Sequence, residues 1–231
     1  MVTLRSTRPA RRGVWLLVAL TLALAGCAAP GVASSASPTA APPAPTATPA
    51  PRTLYTADWS RRASEWSLPL HWRIVEGALT NDGDSTAVSV LPIPYQVTSQ
   101  SYSIHMQIRL IAAKGPGVSS MYALIGQTPS GKLLYTATAS NVEHTLHSFA
   151  AVFPAQPDAV RASDAFATCD FTPGRSTRPY LVQVDGPYIS FIAGGGLVGQ
   201  VRSAPPLAPA RLALLDQSVQ LVVESLTITT P

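Results

Sequence analysis

From Tyr102 to Leu110 the chain alternates apolar and polar residues without a break, Tyr-Ser-Ile-His-Met-Gln-Ile-Arg-Leu. Tyr102, Ile104, Met106, Ile108 and Leu110 therefore fall on one side, and His105, Gln107 and Arg109 on the other. A period of two sustained over that length belongs to a half-buried antiparallel strand and is incompatible with a helix, whose apolar positions recur every three to four residues. The rest of 53–231 follows suit. Tyr180 to Asp185, then Gly186-Pro187, then Tyr188 to Ile192 reads as a hairpin, and Gly194-Gly195-Gly196 turns into a further run from Leu197 to Val201. Shorter strands are expected over 72–75, 78–80, 86–91, 121–125, 133–138, 211–215 and 221–229. No segment of ten residues holds a helical period. Many short strands joined by Gly, Pro and Asp turns predict an all-β, two-sheet antiparallel sandwich over 53–231. A domain of that length buries about 70% of the surface its unfolded chain exposes.

The amino-terminal part is of a different kind. Arg5, Arg8, Arg11 and Arg12 precede an apolar run from Val14 to Ala25 that ends in Gly26-Cys27. A basic start, a short apolar run and small residues behind it are the three parts of a secretory signal, expected over 1–26. As a helix the run rises roughly 18 Å, short of the ~30 Å hydrocarbon core of a bilayer. Ala28 to Pro51 then holds nine Ala, seven Pro, three Ser and three Thr among 24 residues, with no charge. Prolines at that density favour extended polyproline II, so 27–52 is expected to be a disordered tether reaching up to roughly 70 Å. Four of the 16 basic residues belong to the signal, and the remaining 12 match the 12 acidic ones. A formally neutral body has no electrostatic footprint for a phosphate backbone, which excludes nucleic acid as a partner.

Two resemblances sharpen this reading. Leu24-Ala25-Gly26-Cys27 resembles the lipobox of bacterial lipoproteins. It implies cleavage before Cys27, acylation of that thiol, and a protein held to the membrane outside the cytoplasm. Each buried methylene is worth about 0.8 kcal/mol, so two or three chains make the attachment effectively permanent. Downstream, Thr53-Leu-Tyr-Thr-Ala-Asp58, Trp59, Trp66 and Trp72-Arg-Ile-Val-Glu-Gly-Ala-Leu-Thr-Asn81 follow one another, and the chain closes on the hairpin from Tyr180 to Gly196 and the pair Leu212–Leu215 and Leu221–Ile228. This order resembles the laminin-G-like, concanavalin-A-like jelly rolls, in particular the branch that includes the 3-keto-disaccharide hydrolase domain, also called the domain of unknown function 1080. The resemblance implies two curved sheets, a first strand lying near the last, and a carbohydrate or peptide bound on the concave face or rim. The segment from Asn141 to Pro173 does not fit the pattern.

Candidate chemistry is sparse. The E-x-D-x-x-E carboxylate strand of the glucanase branch does not occur. Asp164 and Asp170 are six residues apart, about 20 Å when extended, too far for the paired carboxylates of a glycosidase. Asp82-Gly-Asp84 offers loop oxygens to calcium, which laminin-G-like domains often bind, but Asp-Gly between two strands is above all a tight turn. His144 and His147, three apart, point to opposite faces if the segment is a strand. Cys169 sits among Ala165, Phe166, Ala167 and Phe171, the setting of an inert thiol. What remains is the polar side of the 102–110 strand. His105, Gln107 and Arg109, joined by Tyr122 and Tyr135 from neighbouring strands, are expected to form a sugar-like site of donors beside stacking rings. Three readings follow: a surface module binding a glycan or an envelope protein, a hydrolase of a modified disaccharide, and a structural envelope protein.

Overall fold

The period-two segment around Ile104 becomes the longest of the described strands. The computed structural model describes residues 50–231 apart from 85, 114–119, 142–147, 155–165 and 204–205. The expected signal, Cys27, nearly all of the tether, His144, His147 and Asp164 lie outside the described residues. The described strands are β1 (Thr53–Thr56), β2 (Trp72–Val75), β3 (Ala78–Asn81), β4 (Ser89–Val97), β5 (Ser101–Ala113), β6 (Ser120–Gln127), β7 (Leu133–Asn141), β8 (Ser148–Pro154), β9 (Phe166–Thr168), β10 (Arg178–Asp185), β11 (Tyr188–Ala193), β12 (Gly196–Arg202), β13 (Ala210–Gln217) and β14 (Val219–Thr229). A single 3-10 turn spans Ala63–Glu65.

The strands form two antiparallel sheets, the expected β-sandwich. One has eight strands in the order β12-β11-β10-β5-β14-β3-β2, with β1 also paired to β14. The other has six, in the order β4-β13-β6-β7-β8-β9. As the jelly-roll resemblance implies, the first strand lies on the last, Thr53 facing Thr229 and Tyr55 facing Ile228. The expected hairpin from Tyr180 is formed, with Asp185 opposite Tyr188. Gly186, with φ of 55°, takes the left-handed position that a two-residue hairpin turn of this kind requires. Between β13 and β14 the chain passes from one sheet to the other through Ser218 alone.

Two regions depart from expectation. The strand predicted to end at Leu91 continues through Pro92 and Pro94 to Val97. Proline ends a central strand because it lacks an N–H. Strand β4 lies at the edge of its sheet, where the missing donor is tolerated and blocks pairing with another chain. The stretch from Asn141 to Pro173, which showed no pattern, contains β8 and β9.

The core lies between the sheets. All five apolar positions of the 102–110 alternation are at most 4% exposed, and they pack with Leu79, Leu91, Leu124, Val182, Phe191 and Leu214. Gly126 is required by this packing, because a Cβ there would stand 2.3 Å from the buried ring of Tyr135. One polar cluster is sealed inside. Asp216, 1% exposed, accepts hydrogen bonds from Trp72 Nε1 at 2.9 Å and Asn81 Nδ2 at 2.7 Å. Asn81 Nδ2 also donates to the Val219 carbonyl at 2.9 Å, and Asn81 Oδ1 accepts the Leu221 N–H at 2.8 Å. Burial pushes the Asp216 carboxyl above the ordinary range, against the lowering effect of these donors. The cluster links β2, β3 and β14 of one sheet to β13 of the other through hydrogen bonds shared at one buried carboxyl.

Candidate functional site

Antiparallel pairing places directly opposite residues on the same face, so the register alone maps the outer surface of the eight-stranded sheet. Ser103 of β5 faces Thr229 of β14 on one side and Gln183 of β10 on the other. Gln183 faces Ser190 of β11, and Ser190 faces Gln200 of β12. Thr229, Ser103, Gln183, Ser190 and Gln200 thus form one row of hydroxyls and amides across five adjacent strands. The row beside it runs Ser101, Asp185, Tyr188, Arg202. On its other side lies Thr227, His105, Leu181, Ile192.

A groove of about 230 Å³ opens where the first two rows meet, lined by Ser103, Gln183, Asp185, Tyr188, Ser190, Gln200 and Pro231. Ser103, 4% exposed, lies at its floor, and Tyr188, 45% exposed, presents its ring to solvent. Gln200 Nε2 donates to Ser190 Oγ at 2.9 Å, and Ser101 Oγ donates to Asp185 Oδ1 at 2.8 Å. An exposed ring beside amides, hydroxyls and one carboxylate is chemistry that engages both the apolar face and the hydroxyl edge of a sugar ring.

The predicted site residues divide. His105, Gln107 and Arg109 do share this outer face, but Arg109 is committed to a neighbour. Its Nε donates to Glu224 Oε1 at 2.8 Å, and Thr177 Oγ1 donates to Glu224 Oε2 at 2.7 Å. Those hydrogen bonds hold the Glu224 carboxyl below its usual range. Glu224 reaches Arg109 from an irregularity of β14 between Val223 and Ser225. His105 Nε2 lies 3.5 Å from Thr229 Oγ1.

Tyr122 and Tyr135 correct the expectation. They lie on β6 and β7 of the other sheet and point into the core, at 6% and 0% exposure. The Tyr122 hydroxyl donates to that of Tyr180, and its ring stacks on Phe171. Tyr135 and Tyr102 share a hydrogen bond at 3.2 Å between their hydroxyls. The space around Tyr122 and Tyr180 is filled down to about 10 Å³, too little for a ligand.

Asp82 Oδ1 accepts the Asp84 N–H at 3.0 Å, and its Oδ2 lies 3.1 Å from His71 Nδ1. The first of these contacts is that of a turn, and together the two hold the Asp82 carboxyl below its usual range. Among the described residues no three His, Cys, Asp or Glu side chains come together to hold a metal. Burial pushes the Cys169 thiol up to about 11, which removes the thiolate a nucleophile needs.

Sequence reasoning passed over Gln183, Asp185, Tyr188, Ser190 and Gln200. The signal was present in the hairpin it did find. With a two-residue turn at Gly186-Pro187, Asp185 must face Tyr188 and Gln183 must face Ser190, which aligns the polar positions of both arms.

No protein-family model and no curated protein sequence matches the chain. Solved structures do. The metal-free carbohydrate recognition domain of Emp46p superposes with a TM-score of 0.56 at 12% identity, over 74% of this chain and 90% of that one. A Bacillus subtilis protein of unknown function with a galectin-like fold gives 0.54 at 9% identity, over 78% and 97%. The endo-beta-1,3-glucanase of Pyrococcus furiosus gives 0.55 at 9% identity, over 78% and 94%. The fold is therefore a two-sheet, jelly-roll-like β-sandwich, the architecture these structures share.

Proposed function

We propose that this chain is a carbohydrate-binding lipoprotein, anchored through Cys27 to the outside of a bacterial membrane and presenting its sandwich at the end of a proline-rich tether. One observation carries the binding part: the groove that sets the exposed Tyr188 ring beside Gln183, Ser190 and Gln200. The fold supports it, since structures that share it include a carbohydrate recognition domain and a glucanase. The anchoring part is supported by the arginines, the short apolar run and Leu24-Ala25-Gly26-Cys27. Among the described carboxylates, the one pushed up by burial is Asp216, which is sealed inside and out of reach of a substrate, so the binding reading is preferred to hydrolysis of a (3-keto-)disaccharide.

Two measurements test the parts separately. A glycan array probed with the detergent-solubilised chain is expected to show binding. Silence across neutral and charged glycans alike refutes the carbohydrate reading in favour of a structural envelope role. Cells fed labelled palmitate are expected to incorporate it into the wild-type protein and not into Cys27→Ser. Equal labelling of both refutes the anchor.

A further inference from the structure

The row Thr229–Ser103–Gln183–Ser190–Gln200 crosses five strands at right angles to their direction. At the usual strand spacing it measures about 19 Å from end to end. Each step of the row is therefore close to the length of one pyranose unit; Thr229, Gln183, Ser190 and Gln200 offer uncharged hydroxyls or amides, and Ser103 lies buried beneath them at the floor. Gln200 Nε2 already donates to Ser190 Oγ, so the Gln200 carbonyl oxygen is turned to accept. Gln183, exposed on the far side of Ser190 from Gln200, brings both a donor and an acceptor. Tyr188 stands one row away, over the groove, where its ring can cover the apolar face of a sugar whose hydroxyls reach Gln183 and Ser190.

The charge of the groove narrows the ligand further. Its one charged lining side chain is Asp185, whose Oδ1 is oriented by Ser101. A carboxylate accepts hydrogen bonds from neutral sugar hydroxyls and repels the carboxylate of a uronic acid. His105 and the ion-paired Arg109 lie in other rows, and Arg202, which faces Tyr188 from β12, also lies outside the groove lining.

We propose that this groove and its row are a linear subsite for an uncharged, unbranched hexose chain lying across β14, β5, β10, β11 and β12, with Tyr188 as the stacking platform. This rests on the carbohydrate reading above and adds the place, the direction and the charge class of the ligand.

The test is calorimetric titration of the full chain with cellohexaose, laminarihexaose, maltohexaose and mannohexaose, and with hexagalacturonate as the charged counterpart. At least one neutral hexaose is expected to bind at least about tenfold more tightly than hexagalacturonate, and more tightly than its own trimer. Tyr188→Ala is expected to weaken that binding about tenfold and Gln183→Ala about fivefold, with melting temperatures unchanged. Val90→Ser, an exposed position on β4 of the other sheet, serves as the control and should leave affinity unchanged. Neutral binding that ignores both Tyr188→Ala and Gln183→Ala, or a preference for hexagalacturonate, overturns the subsite and leaves the carbohydrate reading standing. Failure of every oligosaccharide, neutral and charged, overturns both.

Discussion

On the eight-stranded sheet, the outward positions of β5, β10, β11 and β12 carry mainly hydroxyls, amides and charges, interrupted by Leu181 and Ile192. On the six-stranded sheet, the central outward positions of β6, β7, β8 and β13 carry Ala123, Ile125, Thr136, Thr138, Ala151, Ala213 and Leu215, with the polar Gln127, Arg211 and Gln217 toward the strand ends. The inward positions of both sheets are packed and, apart from the Asp216 cluster, mainly apolar. The folding requirement is met by the inward positions, so the outward ones report other demands. Polar residues outside a sheet need no special account, but a row that aligns the same chemistry across five strands, beside an exposed tyrosine, does. The six-stranded sheet is the opposite case. Ile125 and Ala151 are 4% and 0% exposed although they face away from the inter-sheet core. Sensitivity to substitution should therefore fall from the sealed interior, through the outward face of the six-stranded sheet, to the polar face of the other.

The largest effect is expected at Asn81. Asn81→Ala removes a donor from a buried carboxylate and two partners from β14, and should cost about 4 kcal/mol in denaturant unfolding. A loss below about 1 kcal/mol would mean that the cluster does not join the sheets. Ile125→Asp should cost about 3 kcal/mol by placing an unpartnered charge at a buried position, whereas tolerance at the level of a surface change would erase the difference between the two faces. Gly126→Ala should cost about 2 kcal/mol, since its methyl meets the ring of Tyr135; an unchanged melting temperature would show that the ring moves aside.

Acidification separates the interior from the polar face by sign. Glu224 has a depressed folded-state pKa, so its contribution is present above the ordinary value of 4.5 and is lost as pH falls through the folded value. Asp216 has a raised one, so its contribution is fullest below the ordinary value of 3.8 and declines as pH rises through the folded value. Glu224→Gln should lower stability at pH 7 by well under 1 kcal/mol, because the pair with Arg109 is partly exposed and screened. The deficit should close toward pH 3, and a deficit that grows on acidification contradicts the assignment. The smallest effect belongs to Gln183→Ala, within about 0.5 kcal/mol of wild type in the same unfolding measurement. A larger loss would make the polar row a structural feature and not a binding one.

These contrasts explain what could be read in advance. Strand β5 was legible because one of its faces is buried and the other wet, and the hairpin from Tyr180 because a Gly turn separates two β-rich arms. Tyr122 and Tyr135 were misplaced because β6 and β7 bury both faces, which leaves no polar side to say which way a tyrosine points. The passage of β4 through Pro92 and Pro94 was hidden because edge position is a property of the sheet, not of the strand. The groove was missed because its residues come from β5, β10, β11 and β12, each contributing one or two ordinary polar side chains. Their alignment exists only in the register.

The pairing of β1 with β14 has a last consequence. The Arg52 carbonyl accepts the Thr230 N–H at 2.8 Å, and the Arg52 N–H donates to Thr230 Oγ1 at 2.8 Å. Topologically the sandwich is almost a closed ring with its clasp at that point. A few added residues would suffice to join Thr230 to Arg52, and the ring could then be reopened at the exposed turn around Gly131, far along the chain from the clasp. Such a permuted body would keep every strand neighbour it has now while placing its chain ends at a different corner.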